Sequence, residues 1–125
     1  MPHQLTQYDF ELPDVDDWLA GDDRVLAFQV VDADGNGVDI SGATVEWELF
    51  GRDYETDAAD AVISGADSDV ELVTDNRVDT SVGEWEVRID GSATADLWGR
   101  YWQRPRVTQS DGTEASWRGE VVLTA

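Results

Sequence analysis

Two segments of this chain alternate between apolar and charged residues with period two. In Thr44 to Phe50, the residues Val45, Trp47 and Leu49 oppose Glu46 and Glu48, and in Glu84 to Ile89, the residues Trp85, Val87 and Ile89 oppose Glu84, Glu86 and Arg88. Successive side chains of an extended strand point to opposite faces, so the pattern fits a half-buried strand and no helix. Two such strands, each burying a Trp, are expected to face one core.

The rest of the chain repeats the theme in shorter pieces. Val25 to Val31 is mostly apolar and runs into Asp32-Ala33-Asp34-Gly35-Asn36-Gly37, a dense turn signal that predicts a hairpin or tight loop. Short strands are expected at Ala61 to Ser64 and Val70 to Thr74, around a polar turn. Two more are expected at Arg100 to Thr108 and Glu114 to Leu123, around Ser110-Asp111-Gly112. Ser92 to Trp98 has a capping Ser and a stop at Gly99, which suits one helical turn. About seven strands at such spacing predict an all-β fold, an immunoglobulin-like β-sandwich over residues 24–125. A chain of 125 residues has room for one such domain.

Residues 1–23 are polar and acidic, with scattered anchors that include Tyr8, Phe10 and Trp18. They read either as an N-terminal arm that docks on a neighbouring subunit or as a strand lying on its own domain. Neither a basic start with an apolar core nor a long apolar run is visible there, so no signal peptide and no membrane span are expected.

Charge narrows the setting. The chain holds 28 Asp and Glu against 8 basic residues, a formal net charge of -20, and every basic residue is Arg. Such self-repulsion opposes compaction in dilute buffer but is screened at ~1 M salt, where the Debye length is about 3 Å. This Asp-rich, Lys-free balance resembles the proteins of salt-accumulating halophilic archaea and their viruses; the alternative is an acidic protein of a moderate environment, such as a nucleic-acid mimic. The same field argues against binding nucleic acid or anionic membrane, which needs a basic footprint. Cysteine is absent, which removes disulfides, thiolate nucleophiles and Cys-based zinc sites.

Three places invite a chemical reading. Asp32, Asp34 and Asn36 before Gly37 match the first half of an EF-hand loop, but the twelfth position is Ala43, which supplies no carboxylate. A β-turn therefore competes with a bound cation at those residues, and no other cofactor is expected. Arg100-Tyr101-Trp102-Gln103-Arg104-Pro105-Arg106 is the one locally basic stretch. If extended, it puts Arg100, Trp102, Arg104 and Arg106 on one side, residue types enriched at binding hot spots. Pro105 lacks the N–H of a ladder, which fits an edge strand open to a partner. The alternative is pairing of these Arg with carboxylates of the same domain. The six Trp also admit a sugar-stacking platform, although Trp47 and Trp85 read as core. No nucleophile elbow or phosphate loop is present and the single His is His3, so the chain is expected not to be an enzyme.

The stretch "DADGNGVDISGATVEWEL" at Asp32 to Leu49 resembles the N-terminal β-sandwich domain of upper baseplate proteins of tailed phages and related small virion proteins. Asp39, Ile40, Ser41, Gly42, Ala43 and Thr44 match that family's triplet after the turn. Trp98-Gly99-Arg100-Tyr101, then Ser110-Asp111-Gly112 and the closing "WRGEVVLTA", are similar to its last hairpin. Bacterial surface immunoglobulin-like repeats share the turn and triplet. The resemblance implies a structural component of a tailed virus of a halophilic host, at the tail and baseplate or as a capsid decoration. Such a part would be made in the host cytoplasm, reside in the virion, and bind other virion proteins in a homo-oligomeric or multi-copy array. The contacts would run through Tyr8, Phe10, Trp18 and the Arg/Trp strand. The alternative is a carbohydrate- or cell-surface-binding module, whose exposed Trp98, Trp102 and Trp117 would stack on sugar.

Overall fold

Alternation of apolar and polar residues sorts the strands into two layers around one core. The computed structural model describes residues 3–6, 15–51 and 61–124, and within them the fold is all-β, with ten strands and two short 3-10 turns. One sheet joins β1 (His3–Thr6), β3 (Arg24–Val31), β7 (Glu84–Ile89) and β6 (Val70–Val73), in that order. The other joins β2 (Val15–Leu19), β10 (Gly119–Thr124), β8 (Gly99–Thr108), β4 (Thr44–Phe50) and β5 (Ile63–Ser64), with β9 (Glu114–Ser116) also paired to β8.

Leu26, Phe28, Trp85 and Val87 from the first sheet and Trp47, Leu49, Val107, Val121 and Leu123 from the second belong to one buried cluster. Trp47 and Trp85 are both fully buried, as their alternating strands require. Phe28 and Trp85 lie opposite each other in the β3–β7 register with ring centroids 4.8 Å apart, a tilted aromatic pair.

The Asp-Gly-rich segment after β3 makes a tight loop. Asp32 Oδ1 accepts from the amides of Asp34 and Asn36 at 2.9 and 3.0 Å, and Gly35 adopts φ +84°. The loop carries the chain from one sheet to the other, so β3 and β4 do not form a hairpin. Ile40, in the matching triplet, is buried between the layers. Asp39 caps the amide of Ser41 at 2.8 Å, and the hydrogen bonds from Ser41 hold its carboxyl below the usual range.

Several expectations need correction. The predicted helical turn is a 3-10 turn at Gly91–Ala93 capped by Asp90, two residues earlier than the Ser92 cap, and a second 3-10 turn occurs at Thr80–Val82. Asp90 wins the capping role because its carboxylate accepts from the Ser92 amide at 3.0 Å and from the Ser92 hydroxyl at 2.9 Å. The closing strand is interrupted at Trp117 and Arg118 into β9 and β10. More than seven strands result because that split makes two strands of one and because β1 and β2 are short additions to the expected frame.

The first of these additions come from the N-terminal segment. β1 runs parallel to β3, pairing His3 to Thr6 with Phe28 to Val31, and β2 runs parallel to β10. The expected contacts at Tyr8 and Phe10 lie outside the described residues.

Candidate functional site

β8 carries its residues as the period predicts. Gln103, Pro105 and Val107 are buried on the core side, while Arg100, Trp102, Arg104 and Arg106 occupy the outer side and keep part of their surface accessible. The strand is not at an edge, however: β4 flanks it on one side, and β10 and β9 flank it on the other. Pro105 is tolerated because its carbonyl accepts from the Trp117 amide at 3.0 Å, so its missing N–H faces the break between β9 and β10.

The register explains what the Arg side chains do. Arg104 lies directly opposite Glu48 and Arg106 opposite Glu46 on the neighbouring strand. Arg104 Nη2 is 3.2 Å from Glu48 Oε1, and the guanidinium sits 4.9 Å from the centroid of the Phe50 ring. Their side chains are only 15% and 4% exposed, so this pair is largely withdrawn from solvent. Arg106 lies between Glu46 at 3.9 Å and Glu114 at 3.6 Å. Two of the expected partner-binding Arg thus serve their own sheet.

Arg100 differs. It is 69% exposed, and its ion pair with Glu120 is long, at 3.8 Å. Beside it stands Trp98, 75% exposed, the most exposed of the large hydrophobic side chains among the described residues. The Tyr101 hydroxyl points back to the Trp98 carbonyl at 3.4 Å, fixing the backbone where Gly99, at φ +104°, turns into β8. The accessible part of the expected surface is therefore its leading end, Trp98 and Arg100, rather than the whole stripe.

Trp18 is corrected outright. It is fully buried, part of the common core, and its strand β2 pairs with β10, so its side chain serves the interior and not a partner. Among the sugar-platform candidates, Trp98 is exposed, Trp102 half-buried and Trp117 only 4% exposed. The sequence reading names Trp98 for sugar stacking and not for the Arg/Trp contact surface, because it stands outside the strand's alternation, directly after the half-buried Leu97; its position next to a turn-forming Gly was the available signal.

The remaining polar clusters are turn and sheet staples. Arg77 holds Asp75 and Glu71, each at 2.8 Å, and these hydrogen bonds pull the Asp75 carboxyl down to about 2 and lower that of Glu71. The Arg77 guanidinium is raised in turn by its hydrogen bonds to Asp75 and Glu71. Asp32 spends its side-chain oxygen on the loop described above. Among the described residues no three of His, Cys, Asp and Glu gather in a way that could hold a metal. A hollow of about 370 Å³ is an open depression beside Asp23, Arg24, Asp69, Arg88 and Asp90 at one end of the first sheet. No helix among the described residues is long and apolar enough to cross a membrane.

Comparison with known proteins gives no family model that matches this chain and no curated protein that matches its sequence.

Proposed function

We propose that the chain is an immunoglobulin-like sandwich acting as a non-enzymatic structural component of a tailed-virus virion in a high-salt setting. Its work is to bind other virion subunits, at the tail and baseplate or on the capsid. The observation that carries the reading is the strand order, taken with the triplet that connects its first two large strands. β3, β7 and β6 stand in the order B, E, D, and β4, β8 and β10 in the order C, F, G of such sandwiches. The triplet Asp39 to Ala43 supplies the B–C crossing, with Ile40 plugged into the core.

Further marks agree with that assignment. Trp47 is a fully buried Trp on the C-position strand, and Gln103 stands on β8 where antibody domains carry the second Cys. Tyr101, two residues before Gln103, turns its hydroxyl back to the backbone as a tyrosine corner does. These support the fold; the virion role rests on the resemblance of the triplet and of the closing hairpin. The test is quantitative mass spectrometry of purified particles from an infected or induced host. Detection at a fixed multiple of the major tail or capsid protein is expected, and a protein abundant in the lysate but absent from particles defeats the proposal.

One observation favours the second reading, a carbohydrate-binding module: Trp98 is 75% exposed at the entry to β8. A lone indole without the expected companions Trp102 and Trp117 makes a smaller platform than that reading needs.

A further inference from the structure

We infer that the outer face of the second sheet, at the end formed by Leu19, Trp98, Val122 and Arg100, is a contact surface for a second copy of this chain. Register assembles it. Leu19 on β2 pairs with Thr124 on β10, and Leu123 on β10 pairs with Gly99, so Leu19 and Trp98, the residue ahead of Gly99, stand on either side of the end of β10. One position further in, Val122 pairs with Arg100. Leu19 is 46% exposed and Trp98 75%, two of the five large hydrophobics exposed among the described residues.

The occupant follows from charge. A chain of net charge -20 repels its own copies over most of its surface. Arg100 is the one charge among the residues named here and the Glu120 carboxylate beside it balances it, so on a strongly acidic chain this face is close to neutral and a second copy approaches it against little repulsion. The patch is also self-complementary. Arg100, 69% exposed, and Glu120 lie on the same face at 3.8 Å, so a two-fold axis beside them lets each Arg100 reach Glu120 of the partner subunit while the two Trp98 side chains stack on apolar surface. A Trp offers roughly 150–250 Å². With Leu19, Val122 and part of Arg100 the patch therefore comes to about 400 Å² per copy, below the ~800 Å² per partner of a stable dimer. A weak dimer is the consequence.

Salt gives the contact a signature. Screening removes the repulsion between copies and salt strengthens apolar association, so dimerisation rises with NaCl; an acidic partner held mainly by Arg100 would be released by it. The inference does not depend on the virion assignment and stands or falls separately from it.

The test is sedimentation equilibrium of the full chain from about 20 µM to about 1 mM, in NaCl of about 0.5 and 3 M. A concentration-dependent mass approaching twice the monomer at the higher salt is expected, with acrylamide quenching of Trp98 falling in parallel. Trp98→Ser and Leu19→Ser should each weaken association at least tenfold at unchanged thermal midpoint, since both side chains are exposed; Val25→Ser, on the opposite sheet, should leave it unchanged. A chain that stays monomeric at 1 mM in both salts overturns the inference, as does a Trp98→Ser variant that associates like the parent, or association that weakens with salt. A monomer whose Trp98 emission responds to added oligosaccharide overturns it in favour of a sugar platform.

Discussion

The indole N–H of Trp47 donates to the side-chain oxygen of Gln103 at 2.9 Å, between two side chains that are fully buried in the shared core. The bond links β4 to β8 at the centre of the second sheet, where an unpaired N–H has no access to water. Gln103→Leu keeps most of the volume but removes the acceptor, so a loss of about 1–3 kcal/mol is expected from denaturant unfolding in high salt. A variant as stable as the parent would show that the indole does not need its partner.

Glu48 and Arg104 should behave as a unit. Arg104→Ala leaves a carboxylate whose side chain is 4% exposed without its cation, at a cost of about 3–5 kcal/mol. The double change Glu48→Leu with Arg104→Met should cost far less than the sum of the two singles, because it removes both charges together. Additive losses in a double-mutant cycle would mean that the two residues act independently.

The staple at Asp75, Glu71 and Arg77 carries a pH signature. The Arg77 hydrogen bonds lower the Asp75 carboxyl to about 2 and lower Glu71 in the same direction. A carboxylate depressed in the folded state contributes stability above its unfolded pKa, near 3.9 for Asp, and loses it as pH falls through the folded value. The stability difference between the parent and Arg77→Ala should therefore be constant from neutral pH to about 5 and shrink between about 4 and 2. A difference that persists unchanged at pH 2 would separate the effect from these carboxylates.

Gly83 closes the 3-10 turn at Thr80–Val82 with φ +87°, and a Cβ there would overlap the Val30 carbonyl. Left-handed strain and overpacking act together at this position, so Gly83→Ala should cost about 3 kcal/mol or more in thermal or denaturant unfolding. Gly35→Ala, also at positive φ but in open space, should cost less, and the gap between the two isolates the steric part.

Much of the frame was legible because alternation is local. Val45, Trp47 and Leu49, and Trp85, Val87 and Ile89, are buried as the period required, and the outward side of Arg100 to Arg106 was read in the right phase. Pairing was not legible. That Glu46 and Glu48 lie opposite Arg106 and Arg104 depends on a register between segments more than fifty residues apart, and no local pattern encodes it. The same gap made Pro105 look like a sign of an edge, when the break it tolerates belongs to the neighbouring β9 and β10. Trp18 misled for a related reason: β2 is short, interrupted by Asp16 and Asp17 and set in an acidic segment, and only its pairing with β10 brings Trp18 inward.

The parallel pairing of β2 with β10 has a mechanical meaning. Force applied to the chain ahead of β2 and beyond β10 pulls two neighbouring parallel strands in opposite directions along their length. The ladder between them is then loaded in shear, so its hydrogen bonds resist together rather than opening one by one. A domain strung between two anchor points through these strands is built to bear tension.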